Sequence, residues 1–157
     1  MDDGKKLKGH VLFDYNRINE FIYVGTDSCC PGHFKEELLD NGITADLSME
    51  IEQIDQPQGV DYFLWLPTVD HTAPTLKQLW TGVKAMEEWE KQKIKMYVHC
   101  KNGHGRSPTM VAAYFIYAGM SVEEAITAVA KERSEIHIEE VQRSRLLEFW
   151  KELNWES

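Results

Sequence analysis

The sequence predicts an α/β fold: a central, mostly parallel sheet of four to five strands, flanked by helices. Three observations carry this reading. Apolar segments of strand length alternate with longer stretches of helical spacing. The central strand segments are apolar, and "VDYFLWLP" is a nearly continuous run, as expected of a strand covered on both faces. The stretch "SPTMVAAYFIYAG" is apolar on nearly all sides, which marks a helix buried within the fold.

The bulk properties fit one domain over residues 1–157, with 43% hydrophobic residues and five Trp, six Tyr and six Phe to build a core. The first nine residues are polar, carry three Lys and are expected to be frayed. A formal net charge of −9 argues against broad nucleic-acid binding, which needs a basic surface. No apolar run of about 18 residues is present to span a membrane. The N-terminal segment "MDDGKKLKGH" lacks the apolar stretch of a secretory signal. Three cysteines are too few for a disulfide framework, so a reducing, cytoplasmic location is the default expectation, as is a monomer.

The elements follow in order. "HVLFDY" and "EFIYVG" read as short strands joined through "NRIN", forming a hairpin. After the loop "TDSCCPGH", Phe34, Leu38 and Leu39 share one helical face, and Asn41-Gly42 ends that helix. "ITADLS" is a strand, and "MEIEQIDQPQG" an acidic connection with a turn at residues 57–59. "VDYFLWLP" follows as a strand and "TVDHTAP" as a loop. Thr75 caps a helix on which Leu76, Leu79, Trp80, Val83 and Met86 trace the 3.6-residue period. "KMYVHC" is a strand, and the buried helix starts near Ser107 and stops at Gly119. Ser121 and Glu124 stand at capping-box spacing before the next helix, and "EEVQRSRLLEFWKELN" forms the last.

Sites in such sheets form at the carboxyl ends of the strands, where "PTVD" and "HCKNGHGR" both fall. The loop Cys100, Lys101, Asn102, Gly103, His104, Gly105, Arg106 can curl with its backbone N–H groups inward, making a nest for an anion. The apolar helix behind it adds the positive end of its dipole. Arg106 offers a planar fork for two phosphate oxygens. All three features favour Cys100 as thiolate, a nucleophile facing a bound phosphate. The Ser107 hydroxyl can hydrogen-bond the sulfur, and His99 is expected to be buried and to order the loop. A phosphoryl transfer also needs a proton for the departing oxygen.

"HCKNGHGRS" matches every fixed position of H-C-x-x-G-x-x-R-S/T, the signature of the protein tyrosine phosphatase superfamily. The chain resembles its compact dual-specificity branch over roughly residues 20–150, which implies a three-layer sandwich. The resemblance implies Asp70 as the general acid: it stands thirty residues before Cys100, and "LPTVDHTAP" is similar to the acid loop of small archaeal and bacterial members. Asp61 competes but begins its strand, at the wrong sheet edge. The implied reaction runs through a phosphocysteine and needs no metal or cofactor.

The resemblance extends to supporting residues. A lysine after the cysteine, as at Lys101, occurs in relatives that act on phosphoinositides or other non-protein phosphates; the alternative is a solvated side chain. His104 steers substrate or rings the pocket. Gln142 stands where relatives hold a residue that positions water, against the alternative of an exposed helix glutamine. Glu50 is a candidate brace for Arg106. Cys29 and Cys30 offer a reversible disulfide with Cys100, a partial metal site with His33, or plain packing. The expected function is therefore hydrolysis of phosphotyrosine and phosphoserine or phosphothreonine in a shallow pocket. The alternatives are phosphoinositides or another small phosphate ester, and a non-catalytic phosphate-binding module.

Overall fold

A computed structural model of the chain describes residues 13–27, 31–54 and 57–155, the side chains of residues 31–33 excepted. Cys29, Cys30 and the expected frayed segment 1–9 lie outside the described residues. Five strands form one sheet: β1 (Tyr15–Arg17), β2 (Ile22–Gly25), β3 (Ile43–Glu50), β4 (Tyr62–Thr68) and β5 (Lys95–His99). Its order is β1-β2-β5-β3-β4. Only the β1–β2 hairpin is antiparallel; the β2–β5, β5–β3 and β3–β4 pairings are parallel, which is the α/β architecture expected. The helices are α1 (Pro31–Glu37), α2 (Leu76–Lys91), α3 (Arg106–Tyr117), α4 (Val122–Glu132) and α5 (Glu140–Leu153).

Alternation along the strands sorts the sheet's two faces. Val24, Leu47, Met49, Met96 and Val98 join the large core beneath α2 to α5. Tyr23 and Tyr97 face the other way, against Phe34 and Leu38 at α1, and Ile43 joins them across a register irregularity at the start of β3. The result is three layers: α1, the sheet, and four helices. Between the last two, α3 is buried from Arg106 through Ile116, in keeping with its apolar sequence.

Three sequence expectations change. The first described strand is Tyr15–Arg17; of the strand expected at residues 10–15, residues 10–12 lie outside the described residues and Phe13 and Asp14 precede the strand. Asn19 Oδ1 accepts the amides of Phe21 and Ile22, so the hairpin reverses there and the strand runs into the expected "NRIN" connection. The acidic connection begins later, because β3 continues through Met49 to Glu50, which pairs with Thr68. And β4 is an edge strand, not one covered on both faces. Its first two residues, Tyr62 and Phe63, are 39% and 38% exposed. The apolar run is explained by local contacts: the Tyr62 ring leans on Trp89 of α2 at 5.9 Å, and its hydroxyl donates to Gln92.

The caps behave as the sequence indicates. The Thr75 hydroxyl accepts from the Gln78 amide and the Gln78 side chain accepts from the Thr75 amide, which completes a capping box. Ser121 and Glu124 do the same for α4. The first helix closes through a 3-10 turn, Leu39–Asn41, onto Gly42 at φ 82°, a left-handed position glycine tolerates best. The two ways of holding α2 are separable. Thr75→Ala should cost about 1 kcal/mol, and Leu79→Ala, which empties a fully buried position, about 2–5 kcal/mol. Urea unfolding of both variants measures the difference.

Candidate active site

Cys100 directly follows β5, the central strand, and α3 starts six residues later. The loop between them wraps around the thiol. The Gly103 amide donates to Cys100 Sγ over 3.2 Å, and Ser107 Oγ lies 3.2 Å from the same sulfur. Cys100 and Ser107 are buried, while Lys101, Asn102 and His104 are exposed. Gly103 adopts φ 68°, and a Cβ there would meet the Gly25 backbone at 2.7 Å. The loop can therefore dock on the end of β2 only with glycine at this position. Gly105 is the N-cap of α3 and no side chain caps it, which leaves the helix's first amides available to an anion.

Arg106 is 1% exposed. Its Nη1 donates to Glu52 Oε1 (2.8 Å) and to the Thr68 carbonyl (2.8 Å), and its Nη2 to Glu52 Oε2 (3.1 Å). Such a bidentate fork fixes the plane of the guanidinium. Nε is buried with no hydrogen-bond partner among the described residues. Asp70 Oδ1 stands 3.5 Å from it, beyond good hydrogen-bond range. A buried donor left open costs stability, and here it is available to an anion. Although burial works against it, pairing with Glu52 and the field of Cys100 raise the Arg106 pKa, so the charge is retained.

Beneath the loop lies a buried polar network. The alternation in "ADLSMEIE" turns Asp46, Ser48 and Glu50 away from the large core, toward β5. His99 Nε2 lies 2.8 Å from Asp46 Oδ1, and Nδ1 lies 3.2 Å from Asp27 Oδ1. The Tyr97 ring stacks on His99 at 5.2 Å and its hydroxyl donates to the Thr26 carbonyl. Burial, then the neighbouring Asp27 and Glu52, push the Glu50 carboxyl up to about 9. Asp27 stays below its ordinary value despite burial, because His99 hydrogen-bonds it and the neighbouring Glu50 and Arg106 favour its charged form. Glu50 therefore does not brace Arg106; Glu52 does, because the alternation carries the next acid past the strand end toward the loop.

The acid loop lies across the same end of the sheet. Asp70 follows β4 at its carboxyl end, whereas Asp61 sits at the opposite end, its amide bonded to the Thr44 carbonyl. Gln142 is buried rather than exposed: its Nε2 donates to the Thr72 carbonyl (3.1 Å), and its side chain lies 3.0 Å from where a Cβ on Gly105 would stand. It touches both loops. Cys100, Arg106, Ser107, Asp70 and Gln142 are thus brought together, with His99 beneath them and Lys101, Asn102 and His104 on the outside.

The dual specificity phosphatase catalytic domain family matches residues 22–152. The chain belongs to this family. Among curated relatives, the rat "Phosphatidylglycerophosphatase and protein-tyrosine phosphatase 1" is 49% identical over 92 residues, 57% of this chain and 48% of that protein. An Arabidopsis thaliana protein, "Phosphatidylinositol 3,4,5-trisphosphate 3-phosphatase and protein-tyrosine-phosphatase PTEN1", is 32% identical over 91 residues, 55% of this chain and 22% of that protein. The matched region thus spans about half the length of the first of these, or less. A crystal structure of PTPMT1 in complex with PI(5)P superposes with TM-score 0.81 at 35% identity, covering 90% of this chain and 97% of that one. Human DUSP28, 24% identical with TM-score 0.78 over 90% of this chain and 99% of that one, shares the fold.

Two residues of this dual specificity phosphatase domain escaped the sequence reading. One is Glu52, whose signal was the alternation of acids through "DLSMEIE". The other is Arg133, fully buried after α4, where its Nε donates to the Gly103 carbonyl (2.8 Å) and its Nη2 to the Asn102 carbonyl (3.3 Å). Asn16 and the carboxylate of Glu135 satisfy the remaining guanidinium. In the sequence, Arg133 is one more charge at a helix end, and no local pattern distinguishes it. The Glu50 proton has a consequence for stability. The folded chain holds it up to about pH 9, whereas an unfolded glutamate gives it up near its ordinary pKa of about 4.3. That contribution to stability falls as pH rises through this window. Glu50→Gln removes the titrating proton and should lose less melting temperature between about pH 6 and pH 9 than the wild type does. Equal losses in thermal melts would contradict a neutral Glu50.

Proposed function

We propose that the domain is a cysteine-dependent phosphatase that hydrolyses phosphate monoesters through a phosphocysteine. The observation that carries this is the buried Cys100 sulfur, served by the Gly103 amide and Ser107 beside a buried Arg106 whose Nε makes no hydrogen bond among the described residues. A phosphoryl group above Cys100 takes its equatorial oxygens, over which the transition-state charge is spread, to Nε and the loop amides. The thiolate attacks phosphorus, the bond to the ester oxygen breaks, and protonated Asp70 gives that oxygen its proton. Water then attacks the phosphocysteine, its proton goes to the Asp70 carboxylate, and the S–P bond breaks with Ser107 hydrogen-bonding the departing sulfur. Gln142, between the two loops, is suited to orient that water.

The exposed loop residues Lys101, Asn102 and His104 support a shallow pocket open to phosphotyrosine, phosphoserine and phosphothreonine. A second reading, a phosphorylated lipid headgroup or other non-protein phosphate, is favoured by Lys101 and His104, two exposed side chains that can carry charge on the loop itself. The relatives named for phosphatidylglycerophosphate and phosphoinositide support it too. Turnover of phosphopeptides against phosphoinositides and phosphatidylglycerophosphate separates the two. Among the described residues no helix is long and apolar enough to cross a membrane.

Cys100→Ser should abolish hydrolysis of p-nitrophenyl phosphate while phosphate binding persists; retained hydrolysis would refute the assignment. Asp70→Asn should cut kcat by about 10²–10⁴ on substrates with basic leaving groups. One thiolate and one protonated acid give a bell-shaped profile with an acidic optimum. A rate that is flat or rising from about pH 5 to 8 would speak against Asp70 as the acid.

A further inference from the structure

The acid loop is tied to the last helix at three points. The Gln142 side chain donates to the Thr72 carbonyl at 3.1 Å, and Arg145 donates to the Pro74 carbonyl. The third tie is a side-chain pair: His71 Nδ1 lies 2.5 Å from Glu139 Oε2. His71 is the residue after Asp70, and its backbone is at φ 66°, a conformation that non-glycine residues rarely adopt. The His71 amide donates to Asp70 Oδ1 at 3.0 Å, the same oxygen that stands 3.5 Å from Arg106 Nε. One short chain of contacts therefore runs from Glu139, at the entry to α5, through His71 to the Asp70 carboxyl. Glu139 is itself anchored, its amide donating to Gln142 Oε1 at 2.9 Å.

We infer that the His71–Glu139 pair is a positioning clasp, which holds Asp70 over the cysteine loop for proton transfer. The inference rests on the reading of Asp70 as the general acid. It assigns to His71 no contact with substrate: the imidazole bridges Glu139 at Nδ1 and Asp70 Oδ2, 3.6 Å from Nε2, while the His71 amide donates to Asp70 Oδ1. The clasp is also the titratable tie among the three, since Gln142 does not ionise and Arg145 stays charged. Around His71 stand Glu139 from the entry of α5, Asp70 from its own loop at 3.6 Å, and Arg106 from α3. The hydrogen bond to Glu139, then the fields of Asp70 and Glu139, raise the His71 pKa, and Arg106 opposes them. The clasp is accordingly ionic at acidic pH, where the acid must be protonated, and loosens as pH rises through the raised value.

The test compares phenyl phosphate, whose leaving oxygen needs a proton, with p-nitrophenyl phosphate, whose weakly basic leaving group needs little help. In wild type, Asp70→Asn should slow the first far more than the second. Glu139→Gln should lower kcat for phenyl phosphate about tenfold, a part of the ~10²–10⁴ that a positioned acid contributes, with KM unchanged and p-nitrophenyl phosphate much less affected. Added to Asp70→Asn, Glu139→Gln should cost nothing further. His71→Asn, which tolerates the left-handed backbone, should reproduce the same split from the other side of the pair. In NMR titrations, the His71 imidazole should move to a lower pKa in Glu139→Gln. An equal loss on both substrates, a further loss in the Asp70→Asn background, or wild-type kcat in both clasp variants overturns the inference while leaving the phosphatase reading intact. Asp70→Asn turning over both esters at the wild-type rate removes the acid and the clasp with it. Turnover that survives Cys100→Ser removes the phosphatase reading itself.

Discussion

The Arg106 guanidinium is buried, and a buried charge has to be matched by partners or it destabilises the fold. Much of the site's geometry follows from that requirement. Glu52 takes one edge of the guanidinium in a two-point contact and the Thr68 carbonyl takes one of its nitrogens. The segment after β3 and the end of β4 are thereby drawn to the start of α3. Nε remains open, directed toward the region between Cys100 and Asp70. An acidic chain with net charge −9 thus holds an anion trap made from one guanidinium and a few backbone amides rather than from bulk charge.

A second buried arginine does comparable work on the other side of the loop. Arg133 reaches back from the end of α4 to the carbonyls of Gly103 and Asn102, while Gly103 rests against Gly25. The carbonyls are held outward by Arg133, and this leaves the amides to turn inward, as the Gly103 amide does toward Cys100 Sγ. His99 completes the support from below, held between Asp46 and Asp27. The loop is shaped by contacts from β2, β3, α4 and α5, each contributing one or two residues, and little of its form comes from local propensity.

Legibility in the sequence followed the range of the interaction. Caps at Thr75 and Ser121, the stop at Gly42 and the buried character of α3 depend on residues within one or two turns, and the structure agrees with all of them. The parallel sheet was readable because apolar strands alternate with helices. The edge position of β4 was not, because an apolar run looks the same whether a strand or an aromatic ring on α2 covers it. The nine-residue signature placed Cys100, Arg106 and Ser107 in one loop by spacing alone. Glu52 and Arg133 were missed because their partners lie 54 and about 30 residues away, a separation over which spacing carries no geometric information.

By itself, the sequence determined the family, the identity of the nucleophile's loop and the α/β class, since each rests on short-range pattern: fixed spacing in one turn, or periodicity along one element. Tertiary structure decided which carboxylate meets Arg106, where Gln142 points, and what ties Asp70 to α5. These depend on the strand order β1-β2-β5-β3-β4, which sets the distant segments side by side. The physical reason is that burial makes pairing obligatory, and the pairing available to a buried charge is set by the packing around it rather than by its neighbours in the chain.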